Sequence, residues 1–163
     1  MDAKYMPLVP FILVLCHFAF DWVYQSHKEA LAKSKDHVVR FWHCVKYTVP
    51  FAPVLWWMGM GAGDIGLSLA ILFGSHFVID TYIPVMLWAK YLRKAPQFDN
   101  VGERPASEPR GWQDKVVEKT YYPTDVDAFI AFAQTPLGLI LMITMDQFLH
   151  IACLLPVAML AMR

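Results

Sequence analysis

His76-Phe77-Val78-Ile79-Asp80 stands inside an apolar run that extends from Ile65 to Trp88. A histidine and an aspartate four residues apart share one face of a helix, and here both lie where the sequence otherwise reads as lipid-buried. The spacing recurs as His17 and Asp21 in the first apolar run, and in reverse order as Asp146 and His150 in the last. Ionisable groups inside a membrane are costly, so three such pairs in one small chain point to a shared functional site.

Composition sets the class. The chain has 163 residues, 57% hydrophobic and 17% charged, which is far too apolar for a soluble domain of this size and suits a single integral membrane domain. A formal net charge of zero removes the basic field that nucleic acid requires. Cys16, Cys44 and Cys153 sit inside apolar runs at unrelated spacings, so they read as small buried hydrophobes rather than disulfide or zinc-knuckle residues.

Four membrane helices are expected, near residues 6–25, 40–60, 65–90 and 136–162. The first leads directly into Asp21 and reads as a retained helix rather than a cleaved signal. Pro50 and Pro53 are expected to kink the second. Between the third and fourth, residues 95–125 mix charge with proline and glycine and read as an aqueous loop, either a lid or a passive connector. A short interfacial helix from Asp125 to Gln134 is expected next. Thr135-Pro136 then supplies a cap and a first-turn proline for the last helix.

Lysine and arginine concentrate in the first and third connectors, and the second has none. The positive-inside bias therefore puts connectors one and three, including the 95–125 loop, in the cytoplasm of a bacterial inner membrane, with both termini outside. Up-down order and two short connections predict an all-α, four-helix antiparallel membrane bundle.

Residue counts place the pairs at one depth. At the helical rise, Asp21 and His17 lie about 10 and 16 Å from a boundary at Lys28, and Asp80 and His76 about 15 and 21 Å from Lys90. Asp146 and His150 lie about 15 and 21 Å from Pro136, and His43 enters the layer at its shallow edge. His17, Asp21, His43, His76, Asp80, Asp146 and His150 thus form a candidate divalent-metal site, with zinc favoured and manganese or iron open. Seven ligands exceed the need of one tetrahedral ion, so either two ions bind or some aspartates orient histidines. Ser75 is turned off the site face by its adjacency to His76, which argues against a serine nucleophile.

The strings His17-Phe18-Ala19-Phe20-Asp21-Trp22-Val23-Tyr24-Gln25, His43-Cys44-Val45-Lys46-Tyr47, His76-Phe77-Val78-Ile79-Asp80 and Asp146-Gln147-Phe148-Leu149-His150 resemble the bacterial and phage membrane family catalogued as domain of unknown function 3307. The resemblance covers all four helices in order and leaves out the 95–125 loop. It implies a small multi-helix inner-membrane protein with a polar His/Asp constellation, and it brings no activity with it. A lysine downstream of Gln25 belongs to the pattern, and Lys28, Lys33 or Lys35 can fill that place.

The leading functional expectation is a membrane-embedded metal-dependent hydrolase acting on a lipid-linked or amphiphilic substrate. Asp21, Asp80 and Asp146 are its candidate catalytic carboxylates, and Gln25, Lys28, Arg40, Lys46 and Gln147 its candidate head-group residues. The alternatives are proton or divalent-cation transport through the same layer, and a structural membrane protein without catalysis. Haem held by two histidines such as His17 and His76 ranks last, because the aspartates at i+4 would crowd the macrocycle with charge. The bilayer is the expected partner, and a homo-oligomer stays open.

Overall fold

Residues 3–101 and 124–163 are described by the computed structural model, and they form helices joined by turns, with no strand among them. The chain divides into two compact units, Met1–Ile83 with Asp146–Arg163, and Pro84–Met145.

The larger unit opens with a 3-10 turn, Ala3–Leu8, that leads into α1, Val9–Phe18. Pro10 in the first turn of α1 removes only an amide that has no helical partner anyway. From Ala19 to Val23 the chain widens into a π turn that carries Asp21. A π turn closes i to i+5 bonds and rotates less per residue, so the stripe Val9, Leu13, His17, Asp21 stays on one buried face. Ser26 and Glu29 form a reciprocal capping box that starts α2, His27–Ala32, and Asp36 caps α3, His37–Thr48. Pro50 separates α3 from α4, Phe51–Trp57, which is the kink expected there.

α5, Ala62–Ile79, places Ser68, Leu72, His76 and Asp80 on a second buried stripe. The expected single helix over 65–90 ends at Asp80 instead. Continuing it would require a bond from the residue-84 amide to the Asp80 carbonyl, and Pro84 has no amide hydrogen and would clash there. Tyr82 takes φ 59°, and the chain re-enters helix at α6, Ile83–Leu87. The last buried contribution to this unit comes from the part of α8, Pro136–Ala161, that follows Asp146. Val9, Leu13, Tyr47, Phe51, Leu55, Leu72, Leu154 and Val157 make the apolar core directly beside the polar layer.

In the smaller unit a π turn, Trp88–Leu92, and a 3-10 turn, Pro96–Asn100, follow α6, and the 3-10 turn packs on α7, Asp125–Gln134. α7 occupies the residues expected for the short interfacial helix. Most of the expected 95–125 loop, residues 102–123, lies outside the described residues. The α7–α8 corner is tight: Thr135 Oγ1 accepts from the Gly138 amide at 3.0 Å, as a cap for α8.

Among the described residues three helices are long and apolar enough to cross a membrane: Met6–Val23, Ala62–Ile79 and Pro136–Ala161. Large apolar side chains such as Phe11, Leu15, Trp56, Trp57, Phe148 and Met159 are exposed, which suits a lipid environment better than water.

Candidate metal centre

The polar layer gathers side chains from four elements within the larger unit. His43 on α3 is its hub, with Nε2 2.9 Å from His76 Nε2 on α5, 3.1 Å from Asp21 Oδ1 on the π turn and 3.5 Å from Asp80 Oδ2. His76 Nε2 is also 3.5 Å from Asp21 Oδ1 and 3.4 Å from Asp80 Oδ2. All four residues are at most 2% exposed. Two imidazole nitrogens and two carboxylates supply acceptors in excess of protons, so a cation is the natural occupant of their meeting point.

Among the described residues two groups of donor atoms are close enough to hold an ion, Asp21–His43–His76 and His76–Asp80–His150. His150 is the best prepared of the five. Its Nδ1–H donates to the Asp146 carbonyl at 2.9 Å, which fixes the tautomer and leaves an Nε2 lone pair that meets no hydrogen-bond partner. That Nε2 is 3.9 Å from Asp80 Oδ1. His43 Nδ1 is 3.4 Å from the Gln25 amide, and a half-turn of that amide lets Oε1 accept from Nδ1–H, freeing Nε2 to ligate. Imidazole and carboxylate donors without thiolate fit zinc, iron or manganese.

His17, Asp146 and Gln147 support the layer from outside these groups. The Tyr47 hydroxyl donates to His17 Nδ1 at 3.2 Å, and His17 Nε2–H donates to Gln147 Oε1 at 3.0 Å, so both ring nitrogens are used. Gln147 in turn donates to Asp146 Oδ2 at 3.1 Å. The Tyr47 ring stacks on His76 with centroids 3.9 Å apart, and the His17 ring stacks on His150 at 5.5 Å. These contacts hold His76 and His150 in orientation.

The lysine left open by the sequence is Lys33. Its Nζ is 2.9 Å from Asp80 Oδ1, 3.4 Å from His43 Nε2 and 3.7 Å from Asp21 Oδ1, in a side chain 7% exposed. Burial works against the ammonium, but the charges of Asp80 and Asp21 outweigh it and hold the Lys33 pKa above its ordinary value. Arg40 fixes the segment that carries it: Nε donates to the Lys33 carbonyl and a terminal nitrogen to the Ser34 carbonyl, both at 2.8 Å. Its guanidinium is thus committed to backbone rather than free for a head group. Lys46 pairs with Glu29, Lys28 is exposed, and Gln25 faces His43. Ser75 Oγ donates to the Ile71 carbonyl on its own helix, off the site face as expected.

Sequence reasoning left Lys33 as one of three lysines open for its place, did not count Tyr47 as a site residue, and put His43 at the edge of a layer whose centre it occupies. Tyr47 is one helical turn from His43, a signal that was present. Nothing periodic marks Lys33, because a capped six-residue helix and an arginine clamp fold its connector back over the site.

A protein whose described residues are all-helical, with three helices among them long and apolar enough to cross a membrane and buried His/Asp groups able to hold a metal, is the class these observations define. It belongs to the family described as "Protein of unknown function (DUF3307)", whose match covers residues 9–163. No curated protein matches the chain, and no solved structure does.

Proposed function

We propose that this protein is an intramembrane metalloprotein, and that it is a metal-dependent hydrolase of a lipid-linked or amphiphilic substrate. The observation that carries the reading is the meeting of Asp21 Oδ1, His43 Nε2 and His76 Nε2 within 3.5 Å of one another while buried. Three protein ligands leave an open position of the catalytic kind, and zinc suits the donor set best. A bound ion there supplies Lewis acidity and a lowered water pKa. Asp80, which reaches both histidines and Lys33, is the carboxylate placed to accept a proton, while Asp146 stands behind His150.

The membrane arrangement belongs to the same proposal. α3 with α4, 21 residues from His37 to Trp57, would form a fourth crossing in an antiparallel bundle. Connectors one and three would face the cytoplasm of a bacterial inner membrane. The Lys33–Asp80–Asp21 ion pairs favour one other reading, proton or cation transport, since such networks also line proton relays.

Metal analysis of purified parent, His43→Ala and His150→Ala proteins tests the proposal, with hydrolysis of amphiphilic ester and phosphoester substrates measured alongside. Bound zinc in the parent, its loss in His43→Ala and metal-dependent turnover are expected. Equal metal in all three, or none in the parent after metal-replete purification, would sink the metalloprotein; bound metal without turnover would favour transport.

A further inference from the structure

Lys33 sits on the donor atoms themselves. Its ammonium lies within 3.7 Å of Asp80 Oδ1, His43 Nε2 and Asp21 Oδ1, three of the groups that would hold an ion. A lysine ammonium carries three donors and no lone pair, so it cannot join the ligands. It can only stand in for a cation. We infer that Lys33 is a resident counter-cation of this centre, and that a divalent ion enters by displacing its ammonium from the carboxylates.

The charge balance favours exchange over sharing. Asp21 and Asp80 bring two negative charges into a region where each is at most 2% exposed. Lys33 neutralises one of them, whereas a divalent ion neutralises both. With the two cations together the buried centre would carry a net positive charge, and they would repel at short range in a low dielectric. The metal-free protein therefore needs Lys33, and the metal-bound protein does not.

The surroundings are built for such a movement. Lys33 is the C-cap residue of α2, with its backbone carbonyl held by Arg40 and its side chain long and unbranched. Displacement moves the ammonium alone, because the Arg40 clamp keeps the backbone in place. A lysine serving only as structural glue would instead be needed in both states.

This inference rests on the metal-binding reading, and the two fail differently. Zinc affinity is measured by competition with a chromophoric chelator for the parent and Lys33→Met, a variant that keeps the methylenes and removes the charge. Tighter zinc binding by Lys33→Met, tenfold or more, is expected, together with lower thermal stability without metal and a larger stabilisation by zinc than in the parent. Should the variant fold only when purified with zinc, the same dependence on a replacement cation is on view. A readout on the parent guards against an unstable variant: labelling by an amine reagent, followed by mass spectrometry, should rise several-fold at Lys33 on adding zinc and stay constant at Lys90. Zinc affinity unchanged or weakened in Lys33→Met, or a Lys33 equally protected with and without bound zinc, overturns the exchange and leaves the metal site standing. Absence of zinc binding in both proteins overturns the two readings together.

Discussion

His43 and His76 come from positions 33 residues apart and meet Nε2 to Nε2 at 2.9 Å, with no exposed edge on either ring. At that distance one ring donates to the other, or both lone pairs face a common cation. Asp21 Oδ1 stands 3.1 Å from the first nitrogen and 3.5 Å from the second, which favours the cation. The relationship joins the first helical region, α3 and α5 through their most costly side chains, so fold and site depend on the same contacts.

The orientation proposed for the chain rests on its basic residues and is open to labelling. Gly63, exposed at the start of α5, lies in a connector without lysine or arginine. A single cysteine at Gly63 should react with an impermeant reagent in intact cells, and one at Ser107 only after the membrane is opened. The reverse pattern would invert the topology.

Much of this architecture can be read along the chain, because apolar runs and the His-x-x-x-Asp spacing are local signals. Pro50 marked its kink, and Thr135-Pro136 marked the start of α8. The break after Asp80 was readable in principle from Pro84, yet the apolar run hid it. What no local signal carries is the return of a connector over the site. Lys33 reaches Asp80, 47 residues later, only because Arg40 and two side-chain caps shape the segment between Ser26 and Asp36. The same holds for His17, whose spacing matches that of His76 while its partners, Tyr47 and Gln147, take up both nitrogens.

The α7–α8 corner should tolerate no side chain at Gly138. A Cβ there would fall 1.9 Å from the Phe132 carbonyl oxygen and 2.6 Å from Thr135 Oγ1, the capping atom itself. Gly138→Ala must open the turn and lose the cap, at a cost of about 2 kcal/mol from the lost cap and strain. Thermal unfolding in detergent measures it. Gly63→Ala, where a Cβ meets nothing within 4 Å, is the matched control and should change little.

Glu29 ties the connector to α3 through Lys46, and Lys46 holds its carboxyl down to about 2, with help from the Ser26 amide. A depressed carboxylate stabilises the fold above the unfolded value and loses that contribution as pH falls through the folded one. The stability difference between the parent and Glu29→Gln should therefore be full at pH 6, shrink between about 4.5 and 2, and vanish below. Because the pair is solvent-facing, it should be under about 1 kcal/mol. A difference that stays constant from pH 6 to pH 2 would show that the ion pair contributes nothing.

The buried pair of Asp80 and Lys33 should behave in the opposite way, as a coupled unit with a large penalty for removing either half. Asp80→Asn leaves the Lys33 ammonium with Asp21 alone, at 3.7 Å instead of the 2.9 Å it has to Asp80. Breaking a buried ion pair by removing one partner costs about 3–5 kcal/mol, since the other charge stays desolvated, and the remaining Asp21 places this case near the lower end. In the double variant Asp80→Asn with Lys33→Met both charges of this pair go while Asp21 keeps its own and its contact with His43, and the amide can still accept from or donate to His43 and His76. Metal-free, the double variant should then lose less stability than the sum of the two single losses, with a coupling of about 1–3 kcal/mol between the two positions. Chemical unfolding of all four proteins in the presence of a chelator completes the cycle. Additive losses would mean that Lys33 and Asp80 do not sense one another, and the charge balance assigned to the centre would be wrong.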